Sequence, residues 1–353
     1  MLPGDGVGPE VTKLAVEVLR STASVFNHEL NVEFYDIGWS AYENYGSPLP
    51  DSTLDGCKSA DAVLLGAVGD PRADELAPDL RPERGLLSLR KELGCFANIR
   101  PSRLLPCLSD ASPLTLEIVE NTDLVIVREL AGGIYYGEPS GIVDDGDAAI
   151  DTMKYHRDEV ARIARVAFDM AMNRTKKVTS VDKSNVLSSS RLWRNTVNEI
   201  AGEYPEVECS HMFVDRAAME LVMNPKDLDV LLTSNLFGDI LSDEAAAVVG
   251  SIGLLASASL NKDGGGMFEP VHGSAPDIAG QGLANPLAAI LSVAMMLRYS
   301  FGLEEPARKI EEAIEKVLKE GYRTNDLEGP EDMKLNTDQM SQKILENLRG
   351  FNE

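Results

Sequence analysis

The sequence has only four cysteines, Cys57, Cys95, Cys107 and Cys209, among 353 residues. No two of them are spaced as Cys-x-x-Cys, and His211 lies near only one of them, Cys209, so the set of ligands for a zinc site is not complete. Free thiols in a reducing compartment are the simplest interpretation. The protein is therefore expected to be cytoplasmic.

Positive charge and long apolar runs are scarce as well. Lysine and arginine total 33 against 57 aspartates and glutamates, which gives a formal net charge of -24 at pH 7. This balance argues against nucleic acid or an anionic membrane as a partner. The sequence has no run of 18 apolar residues that would span a membrane, and its N-terminus lacks the basic-then-apolar pattern of a signal peptide. A chain this acidic can bind a small anion only by clustering its arginines.

Several catalytic motifs are missing. The sequence has four histidines and no Gly-x-Ser-x-Gly, so serine hydrolysis has little support. The phosphate-binding pattern Gly-x-x-x-x-Gly-Lys-Ser/Thr is absent too. The spacing Gly4-x-Gly6-x-Gly8 lacks the gap of the Rossmann fingerprint, and Pro9 begins a helix where close packing would be needed. A Rossmann fold is therefore rejected.

The sequence does contain strand-like and helical segments in alternation. Continuous apolar runs predict strands over 61–68, 122–130, 176–183, 207–214 and 229–235. Apolar residues at helical spacing predict helices over 9–19, 157–173, 285–301 and 306–320, the third with Asn285 as its cap. The glycine-rich tract 261–268 is expected to be a mobile loop. This alternation predicts an α/β protein, and the length favours two domains.

Two acids four residues apart stand out in SNLFGDILSDEAA, residues 234–246. Asp239 and Asp243 would stack on one helical face, where like charges repel by a few tenths of a kcal/mol. A solvated helix start is the ordinary interpretation. However, the neighbours Leu236, Phe237 and Ile240 are apolar. We therefore expect a cation between the two acids.

Three arginines lie inside or beside apolar segments: Arg90, Arg100 and Arg128. One such arginine would ordinarily form a structural ion pair. Three of them within forty residues of an acidic chain favour a second interpretation, in which their guanidinium groups bind carboxylates of a ligand.

Three further residues have both an ordinary and a chemical interpretation. Tyr135, in the glycine-rich GGIYYGEP, is either a packing residue or a proton donor. Lys183, at a strand end, is either exposed or buried enough for proton transfer. Asp215, just after a strand, has helix capping as its default role.

Taken in order, the motifs GDGVGPEV, ERGLLSLRK, FANIRPSR, VRELAGGIYYGEP, VDKSNVL, SNLFGDILSDE and FEPVHGSAPDIAGQGLANP closely resemble the β-decarboxylating dehydrogenases, the family of isocitrate and isopropylmalate dehydrogenases. The resemblance covers essentially the whole chain. It implies a two-domain α/β fold with a mixed sheet flanked by helices. It also implies a cofactor-side domain of residues 1–97 plus 251–353 and a dimerisation domain of residues 98–250. Family members work as homodimers with active sites shared between subunits.

The resemblance also implies the roles of the site residues. Asp239 and Asp243, with Asp215 of the partner subunit, would hold Mg²⁺ or Mn²⁺, which suits hard oxygen ligands. Lys183 of the partner subunit would help remove the proton of the substrate's 2-hydroxyl, and Tyr135 would take part in reprotonating the enolate. The malate carboxylates would be bound by Arg90, Arg100 and Arg128, with Asp215 also beside the substrate.

The same resemblance assigns the cofactor and the substrate. The cofactor-binding residues would be Gly69, Glu83, His272, Gly273, Ser274, Ala275, Asp277, Ile278, Ala279 and Asn285. NADP-using relatives tend to have Lys-Tyr in place of Asp277-Ile278, so NAD is expected. Leu86 and Leu87, with Val186 of the partner subunit, would form an apolar pocket for an isopropyl group, unless the two leucines only face the core. Oxidative decarboxylation of 3-isopropylmalate is thus the expected reaction. The alternatives are isocitrate, homoisocitrate, D-malate or tartrate as the substrate, or a catalytically silent binding protein on the same fold.

Some positions depart from the family pattern. Only Met1 precedes Leu2, where the family usually has several residues of a first strand. This leaves the first strand and the true start of the chain open. Ala131, Ser140 and Ala256 replace the common Thr, Arg and Pro, and none of them is a chemical residue.

Overall fold

The computed structural model describes residues 1–250 and 252–350. By its contacts the chain divides into two compact units, Met1–Cys95 with Ser251–Glu353, and Phe96–Gly250. We refer to them as the first and the second unit.

Strands and helices alternate along the described residues. The strands are β1 Leu2–Gly4, β2 Val63–Ala67, β3 Ala97–Arg103, β4 Asp123–Glu129, β5 Gly141–Val143, β6 Ala148–Ile150, β7 Lys177–Asp182, β8 Glu208–Phe213, β9 Val230–Thr233, β10 Ala256–Leu260 and β11 Gly266–Pro270. The helices are α1 Gly8–Val25, α2 Trp39–Tyr45, α3 Asp51–Ser59, α4 Pro82–Glu92, α5 Leu116–Val119, α6 Arg157–Met172, α7 Ser188–Ala201, α8 Val214–Met223, α9 Asn235–Val249, α10 Leu287–Tyr299, α11 Glu304–Lys319 and α12 Thr337–Arg349. The α/β class predicted from the sequence is confirmed.

In the first unit the strand order is β1-β2-β11-β10. The first three strands are parallel, and β10 runs antiparallel to β11. Helix α1 has a proline in its first turn and buries Val11, Leu14, Ala15 and Val18, spaced as one helical face. The core of this unit also contains Leu2, Ile37, Cys57, Val63, Leu65, Leu89 and Met267.

In the second unit the strand order is β3-β4-β9-β7-β8. Strand β3 runs antiparallel to β4, and the other neighbours are parallel, so the sheet is mixed as predicted. Its core contains Leu124, Ile126, Val181, Ala217, Leu221, Leu228, Leu231, Leu241 and Ala245. Helix α9 contributes Leu241 and Ala245 to this core, which fixes the face of α9 that points outward. Burying a leucine this way stabilises the fold by about 1.5–3 kcal/mol.

The mobile loop predicted over 261–268 is wrong in its second half. Its second half is the start of β11, and its first half is a tight turn between β10 and β11. Asn261 N donates to Gly265 O at 2.9 Å, and Asn261 Oδ1 accepts from Asp263 N at 3.0 Å. Gly264 has φ +83°, which a glycine adopts without strain. The glycines shape a hairpin turn here.

Other boundaries differ by a few residues. The first strand is present but short, with Leu2 opposite Leu65 in β2 and Gly4 opposite Ala67. Helix α10 begins at Leu287, later than expected, although Asn285 Oδ1 still accepts a hydrogen bond from Leu287 N at 3.0 Å. Within the described ranges, no helix combines the length and hydropathy of a membrane span.

Candidate active site

The acid pair lies on the outward face of α9, one turn apart. The side chain of Asp239 is 37% exposed and that of Asp243 is 63% exposed. The apolar neighbours do not enclose the acids: Leu241 faces the core, and Ile240 is itself 58% exposed. The expectation that apolar side chains surround the acids is therefore wrong, because the helix rotates these neighbours away from the pair.

The cations beside these acids in the folded chain are two arginines. Arg128, on β4, pairs through Nη1 with Asp239. Arg100, on β3, places Nη1 3.2 Å from Asp243 Oδ1 and Nη2 3.8 Å from Asp239 Oδ1. The two guanidinium groups and two carboxylates form a charge-neutral cluster, which offsets the like-charge repulsion along α9.

A glycine lets Arg128 approach α9 this closely. A Cβ at Gly238 would lie 2.6 Å from Arg128 Cγ and 2.3 Å from Thr233 Oγ1, far inside van der Waals contact. Arg128 is only 3% exposed, so its side chain has no room to withdraw. The glycine that precedes Asp239 is therefore part of how the cluster is built.

Tyr135 joins the same cluster. It ends a short 3₁₀ turn, Gly133–Tyr135, and its hydroxyl donates to Asp239 Oδ2 at 2.7 Å. Burial, followed by the Asp239 carboxylate, raises the pKa of Tyr135 to about 12. The phenol therefore stays protonated at physiological pH, as a proton donor must.

Lys183 and Asp215 form a separate pair in the second unit. Lys183 directly follows β7, Asp215 lies in the first turn of α8, and Lys183 Nζ is 2.5 Å from Asp215 Oδ1. The hydrogen bond from Lys183 lowers the pKa of the Asp215 carboxyl. Asp215 is therefore a carboxylate at neutral pH. Nearby in sequence, Val186 is 63% exposed.

The predicted substrate residues of the first unit lie on α4. Arg90 pairs with Glu269, and both side chains are nearly buried. Leu86 packs against the core of the first unit, as the core-facing alternative expected, whereas Leu87 and Glu83 line a cavity of about 810 Å³. The cavity is also lined by Asp70, Asp74, Arg81 and Arg84.

The predicted cofactor loop lies beside the glycine-rich turn at the start of the chain. Val7 N donates to Ser274 O at 2.8 Å, and Ala275 has φ +39°. A Cβ at Gly69 would approach Glu83 Oε1 to 3.2 Å and Ser274 Oγ to 3.6 Å, so these three predicted residues are neighbours.

Other residues of this loop differ in exposure and partners. Asp277 is exposed, and its carbonyl accepts from Gln281 Nε2 at 2.7 Å. Asn285 Nδ2 donates to Asp326 Oδ2 at 3.0 Å. Gly273 is exposed, and Ile278 and Ala279 are half-buried.

The residues present fit a divalent cation and a nucleotide. Asp239 and Asp243 offer hard oxygen donors on one helix face. The described ranges hold no group of three acidic, histidine or cysteine side chains arranged for a metal. On the cofactor side, His272 Nε2 is buried and has no hydrogen-bond partner within the described residues. Burial lowers the pKa of His272, so its neutral ring is ready to bond a ligand.

Some functional contacts were missed from the sequence. Ser242 Oγ accepts from Arg100 Nη1 at 2.7 Å, and Asn98 Oδ1 accepts from Arg100 Nε at 2.8 Å. Asn235 Oδ1 accepts two hydrogen bonds from Arg128. Ser242 and Asn235 lie in the motif that contains the acid pair, so helical spacing could have placed them beside it. The arginine contacts could not be inferred that way.

Comparisons with known proteins show which family this chain resembles. A model of the isocitrate/isopropylmalate dehydrogenase family matches residues 1–344. The 3-isopropylmalate dehydrogenase of Halalkalibacterium halodurans is 54% identical over 352 residues, covering 99% of this chain and 97% of that protein. The protein of the same name in Bacillus subtilis is 56% identical over 330 residues, covering 93% and 90%. A crystal structure of isocitrate dehydrogenase from Methylococcus capsulatus matches with a TM-score of 0.86 at 38% identity, covering 99% and 98%.

Proposed function

The chain belongs to the isocitrate/isopropylmalate dehydrogenase family, and from that membership we propose that it oxidatively decarboxylates 3-isopropylmalate with NAD. The products are 4-methyl-2-oxopentanoate and CO₂, and the reaction is a step of leucine biosynthesis. Relatives more than 50% identical over at least 93% of the chain have the name of this enzyme, which favours it over the isocitrate enzyme at 38% identity. In the structure, one observation carries the proposal: Arg100, Arg128, Tyr135, Asp239 and Asp243 meet in a single cluster.

Each member of the cluster has a role in this reaction. Arg100 and Arg128 bind the two malate carboxylates, since guanidinium groups match carboxylates in shape and charge. Asp239 and Asp243, with Asp215 of the partner subunit, hold Mg²⁺ or Mn²⁺. The bound ion supplies Lewis-acid polarisation of oxygen atoms on the substrate.

Proton transfers belong to the other two residues. Lys183 of the partner subunit would take the proton of the 2-hydroxyl, and bound NAD would supply the acceptor for the hydride on C2. CO₂ then leaves from C3. Tyr135, protonated at physiological pH, is placed to return a proton to C3.

A homodimer is supported by the outer face of α8. Met219 and Met223 are 60% and 57% exposed, and Val222 is 39% exposed. Asp215, Met219 and Met223 are spaced four residues apart, so they share one helical face. A second copy covering this apolar face would bring Asp215 and Lys183 toward its own acid pair. We therefore assign the second unit to dimerisation, and the first unit to the cofactor.

Specificity rests on α4. Leu87 lines the cavity of the first unit, and burying an isopropyl group there is worth roughly 2 kcal/mol. Isocitrate would place a carboxylate against this leucine and near Glu83, a penalty that Arg81 and Arg84 in the same lining would offset only in part. For the cofactor, the Asp277 carboxylate accepts a hydrogen bond from a ribose hydroxyl and repels the 2′-phosphate of NADP.

The test compares rates on 3-isopropylmalate, isocitrate and D-malate, each with NAD and Mn²⁺. We expect the highest kcat/KM for 3-isopropylmalate, and we expect Leu87→Ala to lower that preference. Leu93→Ala is the matched control, because Leu93 directly follows the same helix and packs on the core. Higher efficiency with isocitrate or D-malate would replace the proposed substrate.

A further inference from the structure

Asn235, the first residue of α9, makes four hydrogen bonds inside the protein. It is 1% exposed, and its Oδ1 accepts from Arg128 Nε at 3.1 Å and from Arg128 Nη2 at 2.8 Å. Its Nδ2 donates to Gly132 O at 3.0 Å, and its backbone N donates to Tyr155 Oη at 2.9 Å. An arginine only donates and a carbonyl only accepts, so these partners fix the orientation of the amide.

These contacts reach two parts of the cluster, Arg128 and the segment from Gly132 to Tyr135. We call them the Arg128 arm and the Gly132 arm. The edge of Arg128 formed by Nε and Nη2 is bound to Asn235, which leaves Nη1 to face Asp239. On the other arm, Gly132 directly precedes the turn that ends at Tyr135. A side chain at residue 235 therefore determines which edge of the guanidinium faces the cluster and where the turn begins.

The Gly132 arm is also held by Glu129. Glu129 is fully buried and accepts from Ala131 N at 2.9 Å and Gly132 N at 2.8 Å. The Gly132 backbone is thus held through its N–H by Glu129 and through its C=O by Asn235. Loss of one of these bonds leaves a buried polar group without its partner, which displaces the segment that carries Tyr135.

We propose that Asn235 is a positioning residue that aligns the carboxylate-binding edge of Arg128 with the hydroxyl of Tyr135. This rests on the proposed function of those two residues. It predicts that the two arms of Asn235 affect different kinetic constants. The Arg128 arm governs substrate binding, and the Gly132 arm governs the protonation step.

Two variants separate the arms. Asn235→Asp keeps an acceptor for Arg128 but turns an oxygen toward Gly132 O and adds a negative charge beside Arg128, so we expect kcat to fall at least tenfold while KM for 3-isopropylmalate rises less than tenfold. Asn235→Ala removes both arms, so KM should also rise at least tenfold. Asp229→Asn is the matched control. Asp229 is likewise buried and bound to an arginine, Arg174, but it precedes β9, whereas Asn235 follows β9.

The Asp229→Asn control should have a lower thermal stability than the wild type. Its kcat and KM should stay within about twofold of the wild-type values. If both Asn235 variants behave like this control, Asn235 is only structural and the proposal is overturned. A double-mutant cycle of Asn235→Ala with Tyr135→Phe, measured by the midpoint of urea unfolding, does not depend on turnover. Non-additive midpoints support the link to Tyr135, and additive midpoints refute it. A wild-type protein that oxidises none of the three acids would refute the proposed function alone.

Discussion

The pairing of Arg100 and Arg128 with the acids of α9 predicts that the metal ion and the diacid substrate bind cooperatively. A divalent cation has to share Asp239 and Asp243 with the guanidinium groups. A diacid has to share the guanidinium groups with the same acids. With both ligands present this competition should be relieved, because in the proposed site the arginines bind the substrate carboxylates and the aspartates bind the cation. Each ligand should therefore strengthen the binding of the other.

The size of this effect follows from the geometry. At 3.2 Å and an effective dielectric constant near 20, the attraction between Arg100 and Asp243 is about 5 kcal/mol before desolvation. Asp243 is 63% exposed, so the net contribution falls to about 0.2–1 kcal/mol. The pair of Arg128 and Asp239 is less exposed, at 4% and 37%, and should contribute more. We expect a coupling free energy of about 1–3 kcal/mol, or about 5–150-fold in affinity.

Calorimetry without NAD measures this coupling, since no turnover then occurs. The Kd of Mn²⁺ is measured with and without saturating 3-isopropylmalate, and the Kd of 3-isopropylmalate with and without Mn²⁺. Linkage requires the same factor in both directions. Asp243→Asn should reduce this factor, whereas Glu244→Gln, one residue further along α9, should leave it unchanged. If the substrate does not change the Kd of Mn²⁺, the competition inferred from the arginine contacts is refuted.

Three further predictions concern the proton donor, the shared site and the cofactor. Tyr135 has a pKa of about 12 and donates as a neutral phenol, so Tyr135→Phe should lower kcat by about 10²–10⁴-fold across pH 7–9; steady-state kinetics showing less than a threefold loss would contradict this role. Mixing inactive Lys183→Ala with inactive Asp239→Asn subunits should restore activity after subunit exchange, because one site of the mixed dimer carries neither change; no recovery would place each site within a single chain. Replacing Asp277 by Lys together with Ile278 by Tyr should reduce the preference for NAD over NADP at least tenfold in kcat/KM, and an unchanged ratio would disprove the assignment of this segment.

The sequence predicted the elements that depend on local pattern. The strands at 61–68, 122–130, 176–183, 207–214 and 229–235 are all present within about two residues. The apolar runs of β2, β4 and β9 are buried on both faces, as expected inside a sheet, whereas β8 has no fully buried residue. The hairpin over 256–270 was missed because its turn is rich in glycine and its strands are short. A glycine-rich tract predicts a loop equally well whether it is mobile or a tight turn.

Long-range partners of the site could not be predicted in the same way. Helical spacing places Asp239 and Asp243 on one face, and it predicted that a cation would lie beside them. It could not identify that cation as Arg128, which reaches Asp239 across 111 residues of sequence. Leu86 shows a limit of sequence spacing within one helix. A leucine in a helix has the same spacing signal whether it lines a pocket or packs on the core, and Leu86 packs on the core.

The balance of charge around Asp239 and Asp243 explains how the cluster could stay folded and still bind two ligands of opposite charge. Two acids and two arginines sum to zero, and a divalent cation with a dianionic substrate also sums to zero. The charge of the cluster is thus the same before and after binding, although every partner is exchanged. Asn235 is neutral, so it can hold Arg128 in either state without changing this sum. A charged side chain at that position would add an uncompensated charge in both states, which gives a physical reason for an amide at the base of the cluster.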